Sequence, residues 1–279
     1  MTDNISFEKA PLVEIIAELR WLPPGLAVAQ QGQLLLTLGG PDPDSFHLAF
    51  GRRPEVAAFI NTEKLVPPGF PAPWHQVVWR FRNPEIQGAL LQIGPGIFTA
   101  NALQPYRRWS EFRGTVEQGV AALLESRPGA EKGQPFTGLT LRYVNAFSAE
   151  LMGDSSPAEF MRDVLGFRVN PPAALQGLSG KSGLLNQSLN LLIPVANTSK
   201  KLAVQVGDGS IRPIGASDDV PVVLLDMTVS ESMPVVPDTG GVLASFDASR
   251  NIIHETFLKM TTKIQKRMKP VKEASNGKS

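Results

Sequence analysis

The chain has 279 residues, with 27 Lys and Arg against 26 Asp and Glu and a formal net charge of +1. A hydrophobic share of 42% with 19% charged residues is a globular composition, long enough to bury a core in one or two domains. There is no cysteine, which excludes disulfides, thiol nucleophiles, iron–sulfur clusters and thiolate zinc sites, and the near-neutral balance argues against a protein that coats nucleic-acid phosphates over its whole surface.

Taken in chain order, the opening MTDNISFEKAPLVEII breaks its apolar runs with Asp3, Glu8 and Glu14. No apolar run anywhere approaches the roughly 18 residues of a membrane helix, so neither a secretory leader nor a span is expected and the chain is read as cytoplasmic. PLVEIIAELRW is compatible with two periods. As a strand it places Glu14, Ile16, Glu18 and Arg20 on one face; as a helix it groups Leu12, Ile15, Ile16 and Leu19. Glycine and proline then cluster at 22–25, 39–44 and 66–73, which favours short strands and turns over a helical bundle. HQVVWRF alternates, with Val77, Trp79 and Phe81 on one side, and LLQIG and IFTANAL form a hairpin around Pro95-Gly96. Tyr106, Trp109, Phe112, Val116, Val120 and Leu123 follow the helical period over about 105–126.

The turn-rich stretch 126–136, SRPGAEKGQPF, reads as a hinge. GLTLRYVNAF resumes the strand period with Tyr143 and Asn145 on one face and Arg142 on the other. Ser156-Pro157-Ala158-Glu159 has the cap, first-position proline and third-position glutamate of a helix start. LLNQSLNLLIP, KLAVQVGD and VVLLDMTVSE supply further strands, and Phe246, Ile253, Phe257, Met260, Ile264 and Met268 mark a long helix over about 246–269, with Asp247 near its start and Pro270 ending it. The expected class is α+β. Two halves, 1–130 and 131–270, repeat an order of strands followed by a long helix, as a pseudo-duplication of antiparallel sheets each packed with its helix, and 271–279 form a basic disordered tail.

The segments FEKAPLVEIIAELRW, LLQIGPGIFTANALQPYRRWSEF, LRYVNAF and FDASRNIIHETFLKMTT together resemble a sporadically distributed bacterial protein family of unknown function. The resemblance rests on Pro11 to Glu14, Tyr106 to Phe112, Arg142 to Asn145, and His254 with Phe257, and it spans nearly the whole chain. It implies a shared fold with no settled activity. With the β-branched content, it favours the strand reading of 12–21.

Catalytic motifs fail on spacing. Gly180-Lys181-Ser182 imitates the end of a phosphate-binding loop, but Leu175 stands where that loop needs its first glycine, and Gly177-Leu178-Ser179-Gly180-Lys181 ends in lysine where a nucleophile elbow needs glycine. His47, His75 and His254 are too scattered for a helix-borne zinc pair. On a strand Glu14 and Glu18 stand about 13 Å apart, beyond the spacing of a glycosidase pair. Neither a metal nor a cofactor is expected. The residues singled out for ligand binding are Glu14, Glu18, Arg20, Arg142, Tyr143, Asn145, Asp226 and His254. Asp226, in a strongly apolar strand, calls for a partner such as Arg142. Lys263, Lys266, Arg267, Lys269, Lys272 and Lys278 against Glu273 make a basic end that could touch nucleic acid, against the plainer reading of cations at a helix C-terminus. The favoured function is a non-enzymatic binding or interaction module, expected to be a homo-oligomer. The alternatives are an enzyme with a carboxylate, Arg and Tyr site between the halves, and a nucleic-acid-associated regulator.

Overall fold

The computed structural model describes residues 5–22, 42–67, 70, 72–104, 108–169, 174, 188–212 and 217–272. Its strands are β1 (Ile5–Phe7), β2 (Leu12–Arg20), β3 (Asn61–Lys64), β4 (Trp79–Arg82), β5 (Ala89–Gly94), β6 (Ile97–Leu103), β7 (Gly138–Phe147), β8 (Ser188–Pro194), β9 (Lys200–Ile211), β10 (Val220–Glu231) and β11 (Pro270–Lys272). The helices are α1 (Pro43–Gly51), α2 (Trp109–Ser126), α3 (Ala149–Met152), α4 (Pro157–Glu159), α5 (Thr239–Met260) and α6 (Gln265–Met268).

Nine strands make one antiparallel sheet in the order β3-β4-β5-β6-β2-β7-β10-β9-β8, and β1 pairs with β11 in a separate ribbon. The order contains the repeat. In each half the first strand, β2 or β7, pairs with the last, β6 or β10, and that last strand leads into the long helix, α2 or α5. The two first strands pair with each other, Leu12 opposite Asn145 and Arg20 opposite Gly138. The expected halves therefore share a single continuous sheet, related about the β2–β7 pair.

Period-two alternation gives this sheet two unlike faces. Ile15, Ala17 and Leu19 of β2, Leu139 and Leu141 of β7, and Leu225, Met227 and Val229 of β10 are fully buried under the helices. Phe112, Val116, Val120 and Leu123 of α2 and Val242, Phe246 and Ile253 of α5 cover them. The helices also meet each other, because the Asp247 carboxylate accepts from Trp109 Nε1 at 2.7 Å and from Arg113 Nε at 3.1 Å. On the opposite, open face the ladders align Gln92, Thr99, Glu18, Thr140, Ser230 and Lys201 in one row and Asn101, Ile16, Arg142, Thr228 and Ala203 in the next.

Several local expectations meet the structure directly. The β5–β6 hairpin turns at Pro95-Gly96, where Gly96 has φ +68 and a Cβ would lie 2.6 Å from the Trp21 carbonyl, so only glycine fits. Ser156 and Glu159 form a reciprocal capping box on α4, which continues as a single π-helical turn over 160–164. Other details differ. The long helix begins at Thr239, capped by Asp238 accepting from Gly241 N–H at 2.7 Å, so Asp247 lies well inside it and bridges to α2. Two glycines of poor helix propensity at 240 and 241 concealed this first turn in the sequence. The helix also stops at Met260 instead of 269. Thr261 and Thr262 turn their hydroxyls back onto the carbonyls of Phe257 and Leu258, a competing bond that disfavours helix continuation, and a short 3₁₀ turn and α6 follow. Of HQVVWRF, only the last three residues, 79–81, are strand, in β4, and Val78 is buried along with Phe81. Residues 270–272, partly assigned to a disordered tail, are the strand β11.

The expected hinge is packed. Arg127 and Glu131 are almost completely buried, and the Arg127 guanidinium sits 4.9 Å from the ring centroids of both Trp21 and Phe136. Trp21 Nε1 donates to Glu131 Oε2 at 2.5 Å, and Arg127 donates to the Gln134 carbonyl at 3.0 Å. Burial pulls the Arg127 guanidinium down to about 10 and raises the Glu131 carboxyl.

Candidate functional site

The eight residues singled out from sequence divide between the two faces of the central sheet. Glu14, Glu18, Arg20, Arg142 and Asp226 lie on the open face, and Tyr143, Asn145 and His254 lie on the helix side. No crevice collects all of them.

On the open face the charges satisfy one another. Arg142 Nε donates to Asp226 Oδ2 at 2.8 Å across the β7–β10 ladder, and Thr228 donates to the other carboxylate oxygen at 3.3 Å. This is the partner the apolar surroundings of Asp226 called for, and its hydrogen bond raises the Arg142 guanidinium further. Glu18 pairs with Arg20 at 2.7 Å, and Glu14 accepts from Asn101 Nδ2 at 3.0 Å. Such pairs on a half-exposed sheet contribute little each. Glu14 and Glu18 point the same way with Ile16 between them, so they form no acid–base dyad.

On the helix side a pocket of about 60 Å³ opens where four elements converge. Phe7, Ala10, Pro11 and Leu12 come from the β1–β2 connection, Arg108 and Trp109 from the start of α2, Tyr143 and Asn145 from β7, and Arg250, Ile253, His254 and Phe257 from α5. The register explains the convergence. Leu12 pairs with Asn145 at the end of the β2–β7 ladder, and residues 250, 253, 254 and 257 share one face of α5 at helical spacing. Asn145 is buried and donates to the Leu225 carbonyl at 3.3 Å, the core role expected of a strand asparagine. The Tyr143 hydroxyl oxygen is buried with no hydrogen-bond partner among the described residues, and burial pushes its pKa up. Among the described residues the lining carries two arginines and a histidine, and no aspartate or glutamate. Arg108 also reaches Glu111 at 2.6 Å.

Sequence reading found Tyr143, Asn145 and His254 but missed Arg250, Arg108 and Phe7 as members of the same site. The available signal was the four-residue spacing of Arg250 and His254, which puts both on one helix face. Phe7 gave none, since it reaches the pocket through the β1–β11 ribbon, which joins the two ends of the chain.

The basic C-terminal residues are largely engaged within the fold. Lys263 donates to the Asp163 carbonyl, Arg267 donates to the Leu151 and Met152 carbonyls at 3.1 and 3.2 Å, and Lys269 lies 3.7 Å from Glu8. Tyr106, the Gly180-Lys181-Ser182 stretch, Glu273 and Lys278 lie outside the described residues. Among the described residues no group of three or more His, Asp or Glu side chains is placed to hold a metal, and no helix is long and apolar enough to cross a membrane. No protein-family model matches the chain, and no curated protein is similar to it.

Proposed function

We propose that the chain is a non-enzymatic binding module for a small ligand with an anionic head group and an apolar body, held in the pocket between β7 and α5. The observation that carries this reading is the buried Tyr143 hydroxyl, which has no hydrogen-bond partner among the described residues, at a pocket whose described lining is cationic and aromatic. A buried hydroxyl left without a partner costs about 1–3 kcal/mol, which a bound carboxylate oxygen would relieve. At roughly 10–15 Å³ per water the volume suits a head group of a few atoms, with Phe7, Trp109 and Phe257 offering apolar contact beyond it.

The alternatives have less support. An enzyme combining Glu14 or Glu18 with Tyr143 would need groups that the sheet holds on opposite faces. A nucleic-acid regulator would need cations of which Lys263, Arg267 and Lys269 are already engaged by the 160–164 turn, α3 and Glu8. The cysteine-free composition supports a cytoplasmic setting.

Differential scanning fluorimetry with benzoate, octanoate and inorganic phosphate tests the reading. A ligand at about 100 times its dissociation constant adds about 2.7 kcal/mol of stability, so a carboxylate that binds gives a readable rise in melting temperature. The two carboxylates are expected to stabilise the native chain and to lose that effect in Arg250→Gln. Absence of any shift, or an equal shift in the variant, would refute the proposal.

A further inference from the structure

We infer that two copies of this chain join edge to edge through β8, extending the sheet across a two-fold axis at Leu191. The two edges of the nine-stranded sheet are built differently. β3 at one end is four polar residues long, and Glu63 and Lys64 are tied to Arg80 and Asp44, the kind of charged, short edge that resists pairing. β8 at the other end is seven residues, SLNLLIP, without a charge, and Leu191, Leu192 and Ile193 are 39%, 68% and 44% exposed.

Its apolar side chains continue the protein's own core layer. Leu191 stands opposite Val204 and Ile193 opposite Leu202, both partners buried, so the layer beneath the helices runs past β9 and stops at a strand that no other described strand covers. The backbone direction is set by the Val195 N–H, which donates to the Lys200 carbonyl at 3.0 Å. Alternation then turns the amides of 189, 191 and 193 toward β9 and those of Ser188, Asn190 and Leu192 outward. Pro194, which lacks an amide, falls on the outward side, so it interrupts no bond of the β9 ladder and leaves a second strand one bond short at that end.

This pattern fits a second copy of itself. Antiparallel pairing about Leu191 sets Leu191 against Leu191 of the other copy, Leu189 against Ile193, and Asn190 against Leu192, whose outward N–H and C=O groups exchange bonds. Apolar positions meet apolar positions on the helix side, and all seven residues find a partner. A seven-residue edge is short beside the roughly 1,200 Å² of a standard stable interface, so the dimer is reversible on dilution.

Sedimentation velocity over a dilution series of the full chain, with amide hydrogen exchange of β8, reads this out. The native chain is expected to pass from dimer to monomer on dilution, with Asn190 and Leu192 protected only in the dimer. Leu192→Pro removes an outward amide and leaves the β9 ladder intact, and Leu191→Lys sets two like charges together at the axis. Each is expected to weaken association at least about tenfold, about 1.4 kcal/mol, with unchanged circular dichroism. A native chain that is monomeric throughout overturns the inference, as does a dimer that Leu191→Lys leaves intact. A monomer whose β8 edge is already protected overturns it too, because the chain would then cover its own edge.

Discussion

Two glycines of α2 put the packing of this core to a quantitative test. Replacing glycine by alanine inside a helix gains about 1 kcal/mol from backbone entropy and propensity. At Gly114 a Cβ would meet nothing within 4 Å, so Gly114→Ala is expected to stabilise by about that amount. At Gly119 the same Cβ would lie 2.6 Å from Phe98 Cζ and 3.0 Å from Leu91 Cδ2, against a comfortable carbon–carbon separation of about 3.5–4.0 Å. Neither neighbour can withdraw, since Phe98 and Leu91 are fully buried and Phe50 packs near Phe98. Overpacking of this kind costs about 1–3 kcal/mol. Because both variants share the propensity gain, their difference isolates the clash, and Gly119→Ala should be less stable than Gly114→Ala by about 1–3 kcal/mol. Urea unfolding of the three proteins, with slopes compared to exclude a change in the unfolded state, measures it. Equal midpoints, or a Gly119→Ala protein that exceeds Gly114→Ala, would show that α2 does not press on β5 and β6 as described.

Further outcomes follow from the charged groups and the caps. Lys200 and Glu231 face each other at 3.1 Å with side chains only 8% and 10% exposed, and Lys200 also donates to Ser245 Oγ at 2.7 Å; Lys200→Met should cost about 3–5 kcal/mol in chemical denaturation, because Glu231 would be left buried without its counter-charge. Burial by itself would raise the Glu231 carboxyl, but hydrogen bonds from Ser199, the Met233 amide and Lys200 outweigh it and hold the value low. Its stabilisation is therefore present above the unfolded carboxylate value and is lost as pH falls through the depressed folded one, so Glu231→Gln should flatten the acid limb of a stability–pH curve. Glu131 titrates with the opposite sign. Raised by burial, its carboxyl stays protonated in the fold to higher pH than in the unfolded chain, so stability falls as pH rises between the two values, and Glu131→Gln should remove that fall. Asp238→Ala, which leaves the Gly241 amide without its cap, should cost about 1 kcal/mol in the same assay.

What the sequence disclosed was set by the range of the interactions involved. Alternation exposed β7 and the β5–β6 hairpin, and the stripe of Trp109, Phe112, Val116 and Val120 exposed α2, because one buried face suffices to write a period into the letters; at β2 both periods fit and only its β-branched content and the resemblance favoured a strand. Asp226 declared its need for a partner because an acid in an otherwise apolar strand, VVLLDM, is rarely left unpaired, and Arg142 supplies that partner across the ladder. The failures were long-range. The stretch 126–136 has the composition of a hinge, yet Arg127 is buried because two aromatic faces, one of them more than a hundred residues away at Trp21, sandwich its guanidinium. Nothing local distinguishes such an arginine from a solvated one. Likewise Glu14 and Tyr143 looked available to one crevice, and only the β2–β7 register shows that the sheet separates them.

That register also sets two unlike clusters of side chains at the two ends of the sheet's centre. The β2–β7 pair is the axis of the internal repeat, so each of its ends lies beside a long helix and presents similar chemistry, a tryptophan with arginine nearby. At the Arg20–Gly138 end the chain fills the space itself. Trp21 donates to Glu131, Phe136 bridges to Val235, and Arg127 inserts between the two rings at a desolvation cost large enough to bring its guanidinium to about 10. At the Leu12–Asn145 end Trp109 gives its indole N–H sideways to Asp247, and no glutamate is placed as Glu131 is among the residues lining the space. The cations at that end are held within the fold as well, Arg108 by Glu111 at 2.6 Å and Arg250 by the Asn251 side chain at 3.2 Å. The repeated strand order thus ends in two different ways: at one end Glu131 and Arg127 are buried together against Trp21 and Phe136, and at the other the acid that meets Trp109 is Asp247 of α5, which with Arg113 ties the two long helices together.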